Sequence, residues 1–169
     1  DGSVVEEADL SAGAGGQCNE MVVSSSGVAY GGNFGFDVEA GDGLKATNVA
    51  VVFPDGQVKV DDRELMFPNG AVLTPSENTL IVGETFAGQY TAFTIDDDGL
   101  LTEPRIWASV PGTAPDGCTL DADGGIWFSD AAGRQIVRVV ASGTADDAST
   151  IQIATPNNTY ACMLGGDDG

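Results

Sequence analysis

Apolar and polar positions along this chain form short alternating runs, and one arrangement of these runs repeats. In each copy a small polar residue opens an apolar strand, a turn follows, and a second apolar strand comes after the turn. The copies start at Asn19, Asn69 and Asp116, at intervals of 50 and 47 residues, and a fourth begins around Cys162. A period in the forties built from short strands is typical of β-propeller blades.

The remainder of each copy predicts further strands and no helix of useful length. β-branched and aromatic residues stand between Gly, Asp and Pro turn signals throughout. We therefore predict an all-β fold in which residues 1–169 form part of a β-propeller domain. The blades are predicted at about 19–60, 69–108 and 116–153, with the start of another at 161–169. Residues 1–14 are expected to finish an earlier blade.

The predicted blades number about three and a half, which is too few to close a ring. An open ring leaves blade faces and one strand edge without partners. We expect about six blades in the full-length protein. This chain starts at Asp1 rather than Met and is expected to be an internal part of that protein. On its own it is expected to fold poorly or aggregate.

Antiparallel order places the start of each first strand on the same side of the molecule as the loop between the second and third strands. The three repeated polar residues should therefore converge at one mouth, and loops on such a rim often carry binding groups. The loops expected around this mouth are 33–48, 84–88 and 130–134. Phe34, Phe36 and Phe86 lie in these loops and either line the mouth or pack between blades.

The chain carries a net charge of −20, from 26 acidic and six basic residues. Such a field makes nucleic acids and anionic membrane surfaces poor partners. The sequence also has no apolar run long enough to span a bilayer. The acidity is consistent with a solvated surface, with adaptation to high salt or with cation capture. If salt adaptation holds, thermal stability should rise steeply in molar salt.

Histidine is absent from the chain, which excludes Ser-His-Asp triads, Cys-His pairs and His metal ligands within it. Cys18, Cys118 and Cys162 form no CxxC motif and indicate no disulfide framework. We expect Cys118 and Cys162, in apolar strands, to be small buried hydrophobes. Polar chemistry must then come from carboxylates, amides and hydroxyls, the hard oxygen donors that suit Ca²⁺, Mg²⁺ or Mn²⁺.

Two interpretations remain for the amide or carboxylate that opens each repeat. A buried polar group without a partner costs about 1–3 kcal/mol, so three such groups facing one axis could be satisfied together by one cation. Alternatively, each caps its own turn, since Asn-Gly and Asp-Gly are common turn dipeptides. The register of three copies favours the shared site. The acidic segments 96–99 and 121–124, by contrast, lack the closing Glu of a calcium loop and are interpreted as hairpin turns.

Several short motifs occur in a fixed order along most of the chain. They are Gln17-Cys18-Asn19-Glu20, Gly31-Gly32-Asn33-Phe34-Gly35, Phe67-Pro68-Asn69-Gly70, Pro115-Asp116-Gly117-Cys118, the segment 121–127 and Cys162-Met163-Leu164-Gly165-Gly166. In content and spacing these motifs resemble the gluconolactonase/regucalcin (senescence marker protein) family. The resemblance implies a six-bladed propeller with one divalent cation in its central channel, bound in part by a Glu from a blade that this chain lacks.

The same resemblance assigns roles to five residues. Asn69 and Asp116 match metal ligands of the family, and Asn19 matches an Asn that contacts substrate, metal or metal-bound water. Ca²⁺ is the expected ion, with Zn²⁺, Mn²⁺ and Mg²⁺ open. Gln17 and Glu20 fall at substrate-binding positions where many members have Arg and Asp. These two departures leave open a different lactone or a non-sugar ester.

The implied activity is hydrolysis of an aldonolactone to its sugar acid, in which the metal polarises the carbonyl and Asp116 acts as general base. A phosphotriesterase or arylesterase on the same scaffold is one alternative. A non-catalytic propeller that binds calcium or another ligand is a second. The expected partner is a small-molecule lactone or ester, and the expected location is the cytoplasm. The sequence carries no signal for an oligomeric state.

Overall fold

The computed structural model of this chain describes residues 8–11, 13–142 and 144–166, in which twelve strands form three antiparallel sheets. The first sheet contains β1 (Cys18–Val23), β2 (Ala29–Asn33), β3 (Ala50–Val52) and β4 (Val58–Val60). The second contains β5 (Pro68–Leu73), β6 (Thr79–Glu84), β7 (Gln89–Ile95) and β8 (Leu101–Ser109). The third contains β9 (Pro115–Leu120), β10 (Ile126–Asp130), β11 (Gln135–Ser142) and β12 (Thr144–Ala154).

Each sheet is a meander in which strands pair in the order of the chain. The first strands of the sheets lie side by side, with β5 between β1 and β9. The last strands β8 and β12 are also in contact. Three meanders that meet along their first strands have the arrangement of adjacent propeller blades, so the predicted all-β, partial-propeller fold is confirmed.

The hydrophobic core lies between neighbouring sheets, in two clusters. Alternation along β6 shows how a single strand contributes to both clusters. Leu80 and Val82 pack with the first sheet, whereas Ile81 points the other way and packs with the third. Because successive side chains of a strand point to opposite faces, the continuous apolar run in this middle blade is buried on both sides.

The outer faces of the first and third sheets have no such cover among the described residues. Met21 and Val23 on β1 are exposed, as are Ile151 and Ile153 on β12. These exposed apolar residues are of the same kind as those that are buried between neighbouring sheets. The outer faces of the first and third sheets therefore resemble the faces through which blades pack against each other.

Glycine at position 70 permits the close approach of the first strands of the second and third sheets. A Cβ atom at Gly70 would collide with the backbone carbonyl of Asp116 on β9. A larger residue here would force β5 and β9 apart. This contact therefore sets how closely the polar residues at the start of the two strands can approach each other.

The hairpin-turn interpretation of the acidic segments is confirmed by their hydrogen bonds. Asp96 Oδ1 accepts from the backbone N–H groups of Asp98 and Leu100 at 3.0 and 2.8 Å. Asp121 Oδ1 accepts in the same way from Asp123 and Gly125. The Oδ1 atoms of these two carboxylates therefore stabilise the turns in which they lie.

The two ends of the chain differ from the sequence predictions in part. Residues 1–7, 12 and 167–169 lie outside the described residues, and no strand occurs in the described parts of 8–14 and 161–166. The prediction that Cys162 lies in a strand is therefore wrong, although Gly117 N–H donates to Tyr160 O at 2.9 Å, so the segment runs beside β9. No helix that could cross a membrane occurs among the described residues.

Candidate functional site

A β-bulge interrupts the first strand of every sheet at the same place. On β1 the residue pairs Cys18–Asn33 and Met21–Gly31 leave two residues opposite one on β2. The three bulges are Asn19-Glu20 opposite Gly32, Asn69-Gly70 opposite Gly83, and Asp116-Gly117 opposite Ser129. We call Asn19, Asn69 and Asp116 the bulge residues. A bulge turns a side chain out of the regular alternation of a strand, and bulges are frequent beside active sites.

Two of the bulge residues, Asn69 and Asp116, are brought together with Glu20. Burial raises the pKa of the Asp116 carboxyl, while the Gly117 N–H and the Asn69 side chain oppose that rise. Burial also raises the pKa of Glu20, and the negative charge of Asp116 raises it further. The Glu20 side chain also reaches β9, where a Cβ atom at Gly117 would lie 2.7 Å from Glu20 Oε1. One buried amide and two half-buried carboxyls therefore lie close together between β1, β5 and β9.

The side-chain amide of Asn69 is hydrogen-bonded through its nitrogen, whereas its oxygen has no partner among the described residues. Asn69 is 3% exposed, and its Nδ2 donates to Thr85 Oγ1 at 3.1 Å. Thr85 Oγ1 in turn donates to Pro115 O at 2.6 Å, which ties the second bulge to the start of β9. Asn69 Oδ1 is buried and has no hydrogen-bond partner in the part of the chain that the structure describes. This oxygen is therefore oriented and available.

The donor set fits a hard divalent cation. An orphaned amide oxygen beside carboxylate oxygens is the kind of ligand set that Ca²⁺ prefers. The described residues contain no group of three or more His, Cys, Asp or Glu side chains arranged for a metal, because this site combines two carboxyls with amides. The ion pairs found in the described ranges, Lys45–Asp42 and Arg138–Asp121, lie elsewhere.

The structure does not join the remaining predicted site residues to this cluster by any described hydrogen bond. Asn19 occupies the equivalent bulge on β1, and its buried Nδ2 also has no partner among the described residues. Gln17 is exposed and precedes β1, where its carbonyl accepts from Phe34 N–H at 3.0 Å. Their roles remain predictions.

A second set of repeated polar residues, which the sequence analysis missed, stands at the end of each second strand. We call Asn33, Glu84 and Asp130 the loop anchors. Asn33 Oδ1 accepts from Gly15 N–H, Gly35 N–H and Thr47 Oγ1. Asp130 accepts four hydrogen bonds: from Ala114 N–H, Ala132 N–H, Gly133 N–H and Gln135 Nε2. The sequence contains a signal for this set: each loop anchor directly follows a small residue, and the anchors recur at nearly the period of the repeat.

Glu84 shows how a loop anchor supports the site. Its Oε2 accepts from Met66 N–H at 2.8 Å, in the loop that leads into β5. Its Oε1 accepts from Gln89 Nε2 and Thr91 Oγ1 at 2.8 and 2.6 Å. One buried carboxylate on β6 thus ties the loop before β5, the strand that carries Asn69, to the start of β7.

Aromatic rings connect the loops of the first two sheets above the bulges. The Phe67 ring stacks on Phe34 with centroids 4.5 Å apart and meets Phe86 edge-on at 5.0 Å. The Phe36 ring centroid lies 6.0 Å from that of Phe67, with the two rings tilted by 47°. Packing between blades is therefore confirmed for Phe34 and Phe36, whereas Phe86 contacts Phe67 of its own blade and is 51% exposed. Phe67 adopts a φ of 62°, which is rare for a bulky residue.

Comparison with known proteins identifies the family. The model of the SMP-30/gluconolactonase/LRE-like region matches residues 3–169. The chain belongs to this family. Among solved structures it is similar to a gluconolactonase from Xanthomonas campestris, with 27% identity, a TM-score of 0.68, and 87% of this chain and 50% of that chain covered.

Two further solved structures share the fold at lower identity. A luciferin-regenerating enzyme has 17% identity and a TM-score of 0.74 over 89% of this chain and 50% of that chain. A calcium-binding protein, regucalcin, from Agrobacterium tumefaciens has 19% identity and a TM-score of 0.68 over 85% of this chain and 48% of that chain. The chain therefore spans about half the length of these relatives.

Proposed function

We propose that the full-length protein is a metal-dependent lactone hydrolase that opens an aldonolactone-like ring to the hydroxy acid. The observation that carries the proposal is the orphaned, buried Oδ1 of Asn69 beside the Asp116 carboxyl in aligned bulges of neighbouring blades. Family membership and the likeness to a gluconolactonase support the reaction type.

Asp116 and Asn69 would hold the cation, together with Asn19 from the bulge of β1. A bound divalent ion supplies Lewis-acid polarisation of the lactone carbonyl. Asp116 accepts a proton from the attacking water, because its carboxyl is half-buried with a raised pKa and makes one local hydrogen bond, from Gly117 N–H at 2.9 Å. Thr85 keeps the Asn69 amide in one orientation, since it bridges Asn69 and the backbone of β9.

Calcium is the proposed ion for two reasons. The proposed ligands Asn69, Asp116 and Asn19 offer oxygen and no sulfur or imidazole, which favours hard cations. A structural neighbour is named a calcium-binding protein. That neighbour also favours the second candidate function, a propeller that binds calcium without catalysis.

The test is lactone hydrolysis by the full-length protein. Acid release from gluconolactone and a small lactone panel is followed after EDTA treatment and after Ca²⁺, Zn²⁺, Mn²⁺ or Mg²⁺ is restored. We expect turnover to disappear with EDTA and to return with Ca²⁺. Folded, calcium-loaded protein without turnover on lactones would contradict the proposal. An arylester and phosphotriester panel would then separate the esterase alternative from calcium binding alone.

A further inference from the structure

We propose that Glu20 is an additional ligand of the cation, contributed by β1 at the bulge position where β5 and β9 carry glycine. The inference rests on the proposed metal-dependent function and extends it. It changes the role of Glu20, which sequence comparison places among the substrate-binding residues.

Register places Glu20 at the second position of its bulge. The equivalent residues of the other two bulges are Gly70 and Gly117. At Gly70 this position must be glycine because the backbone of β9 occupies the space of a side chain. β1 has space for a side chain at this position, and the chain uses it for a carboxylate.

The Glu20 side chain reaches across to the third bulge. A Cβ atom at Gly117 would lie 2.7 Å from Glu20 Oε1. The carboxylate of β1 therefore fills the space beside Gly117, next to Asp116. Residues almost a hundred positions apart in the chain are neighbours here because the first strands of the blades converge.

Two acidic groups lie close together at this point. Glu20 and Asp116 are both half-buried, and Glu20 Oε1 lies beside Gly117, the residue that follows Asp116. Within the described ranges, no hydrogen bond is donated to the Glu20 carboxylate and no basic side chain pairs with either group. Asn69, whose Oδ1 is buried and unpartnered among the described residues, is a neighbour of Asp116 and offers a further oxygen. A divalent cation between these oxygens would turn repulsion into coordination.

Calorimetric titration of the full-length protein with Ca²⁺ tests the inference. Glu20→Gln removes the charge with little change of shape, and Glu20→Asp keeps the charge but shortens the reach. The matched control is Glu103→Gln, since Glu103 is exposed on the outer strand β8. We expect Glu20→Gln to weaken Ca²⁺ binding by about tenfold or more, Glu20→Asp to weaken it by a smaller factor, and the control to leave it unchanged.

Thermal unfolding gives a second readout, in which Glu20→Gln is expected to act differently on the calcium-free and the calcium-loaded protein. In EDTA, Glu20→Gln should melt at or above the wild-type temperature, because repulsion with Asp116 is relieved. On addition of Ca²⁺ it should gain less than the wild type, because stabilisation by a ligand follows its affinity for the folded state.

Three results would overturn the inference. Unchanged Ca²⁺ affinity in Glu20→Gln with a raised KM for lactone would leave Glu20 as a substrate-binding group. Wild-type affinity in Glu20→Asp would show that charge acts at a distance, without direct coordination. Wild-type protein that binds no divalent ion would overturn the proposed function together with this inference, which distinguishes that failure from the first two.

Discussion

The loop anchors and the bulge residues lie at the same end of the same sheets, but their polar atoms are satisfied differently. Glu84 accepts three hydrogen bonds and Asp130 four. By contrast, Asn69 Oδ1, an acceptor, and Asn19 Nδ2, a donor, are buried and have no partner among the described residues. Both sets recur once per blade, so neither repetition nor polarity separates them. The difference is that two bulge residues have an unpartnered buried atom and no loop anchor does, within the described residues.

This difference separates a structural role from a binding role. Buried polar groups in folded proteins are nearly always hydrogen-bonded, and a satisfied carboxylate contributes to stability. A buried oxygen without a partner lowers stability by about 1–3 kcal/mol unless a ligand completes it. We therefore expect changes at the bulge residues to affect activity and changes at the loop anchors to affect folding.

The largest expected effect is on turnover, in Asp116→Asn. The amide retains an oxygen but accepts no proton in the reaction, so kcat should fall by about 10²–10⁴-fold. Stability should change little, since Asp116 is half-buried and faces Glu20. Lactone assays with saturating Ca²⁺, together with melting curves, measure both quantities.

The matched control is Asp123→Asn, an exposed change in the turn between β9 and β10. It removes the same charge and should leave turnover unaltered. Turnover by Asp116→Asn within a few-fold of the wild type would remove Asp116 from the chemistry and would weaken the distinction between the two sets.

The next effect is on stability, in Glu84→Ala. This change leaves Met66 N–H, Gln89 Nε2 and Thr91 Oγ1 without their acceptor in a buried place. We expect a loss of about 3 kcal/mol in the free energy of unfolding, measured by denaturant titration. Glu64→Ala, at an exposed position in the loop before β5, is the control. A loss below that of a typical surface change would show that Glu84 does not anchor its loops.

The smallest effect is the acid dependence of Asp130. Burial alone would raise its pKa, but hydrogen bonds from Gln135 and from three backbone N–H groups outweigh burial and hold the pKa below the usual 3.8. Its contribution is therefore fully present above that usual value and is lost as the pH falls through the lower pKa of the folded state.

Asp130→Asn should accordingly cost about 1–2 kcal/mol near neutral pH and flatten the decline of the melting temperature as the pH falls below the usual aspartate pKa of 3.8. Melting curves of wild type and variant across this range give the comparison. Parallel curves in acid would show that Asp130 does not carry the stabilisation assigned to it.

The sequence by itself determined the class of fold and the places where chemistry is concentrated. Period-2 alternation and turn residues are local signals, so the four-stranded repeats and the hairpin turns at 96–99 and 121–124 could be identified from them. The repeat also identified Asn69 and Asp116 as equivalent, because copies of one unit place equivalent residues around one axis.

Only the tertiary structure decided which polar residues meet and which are satisfied. The bulges follow from strand pairing, and the contact of Glu20 with Gly117 follows from the convergence of first strands far apart in sequence. Hydrogen bonds around Glu84 distinguish an anchor from a ligand, although both are polar residues at strand ends. These properties depend on the relative placement of whole blades, which no local pattern of apolar and polar residues encodes.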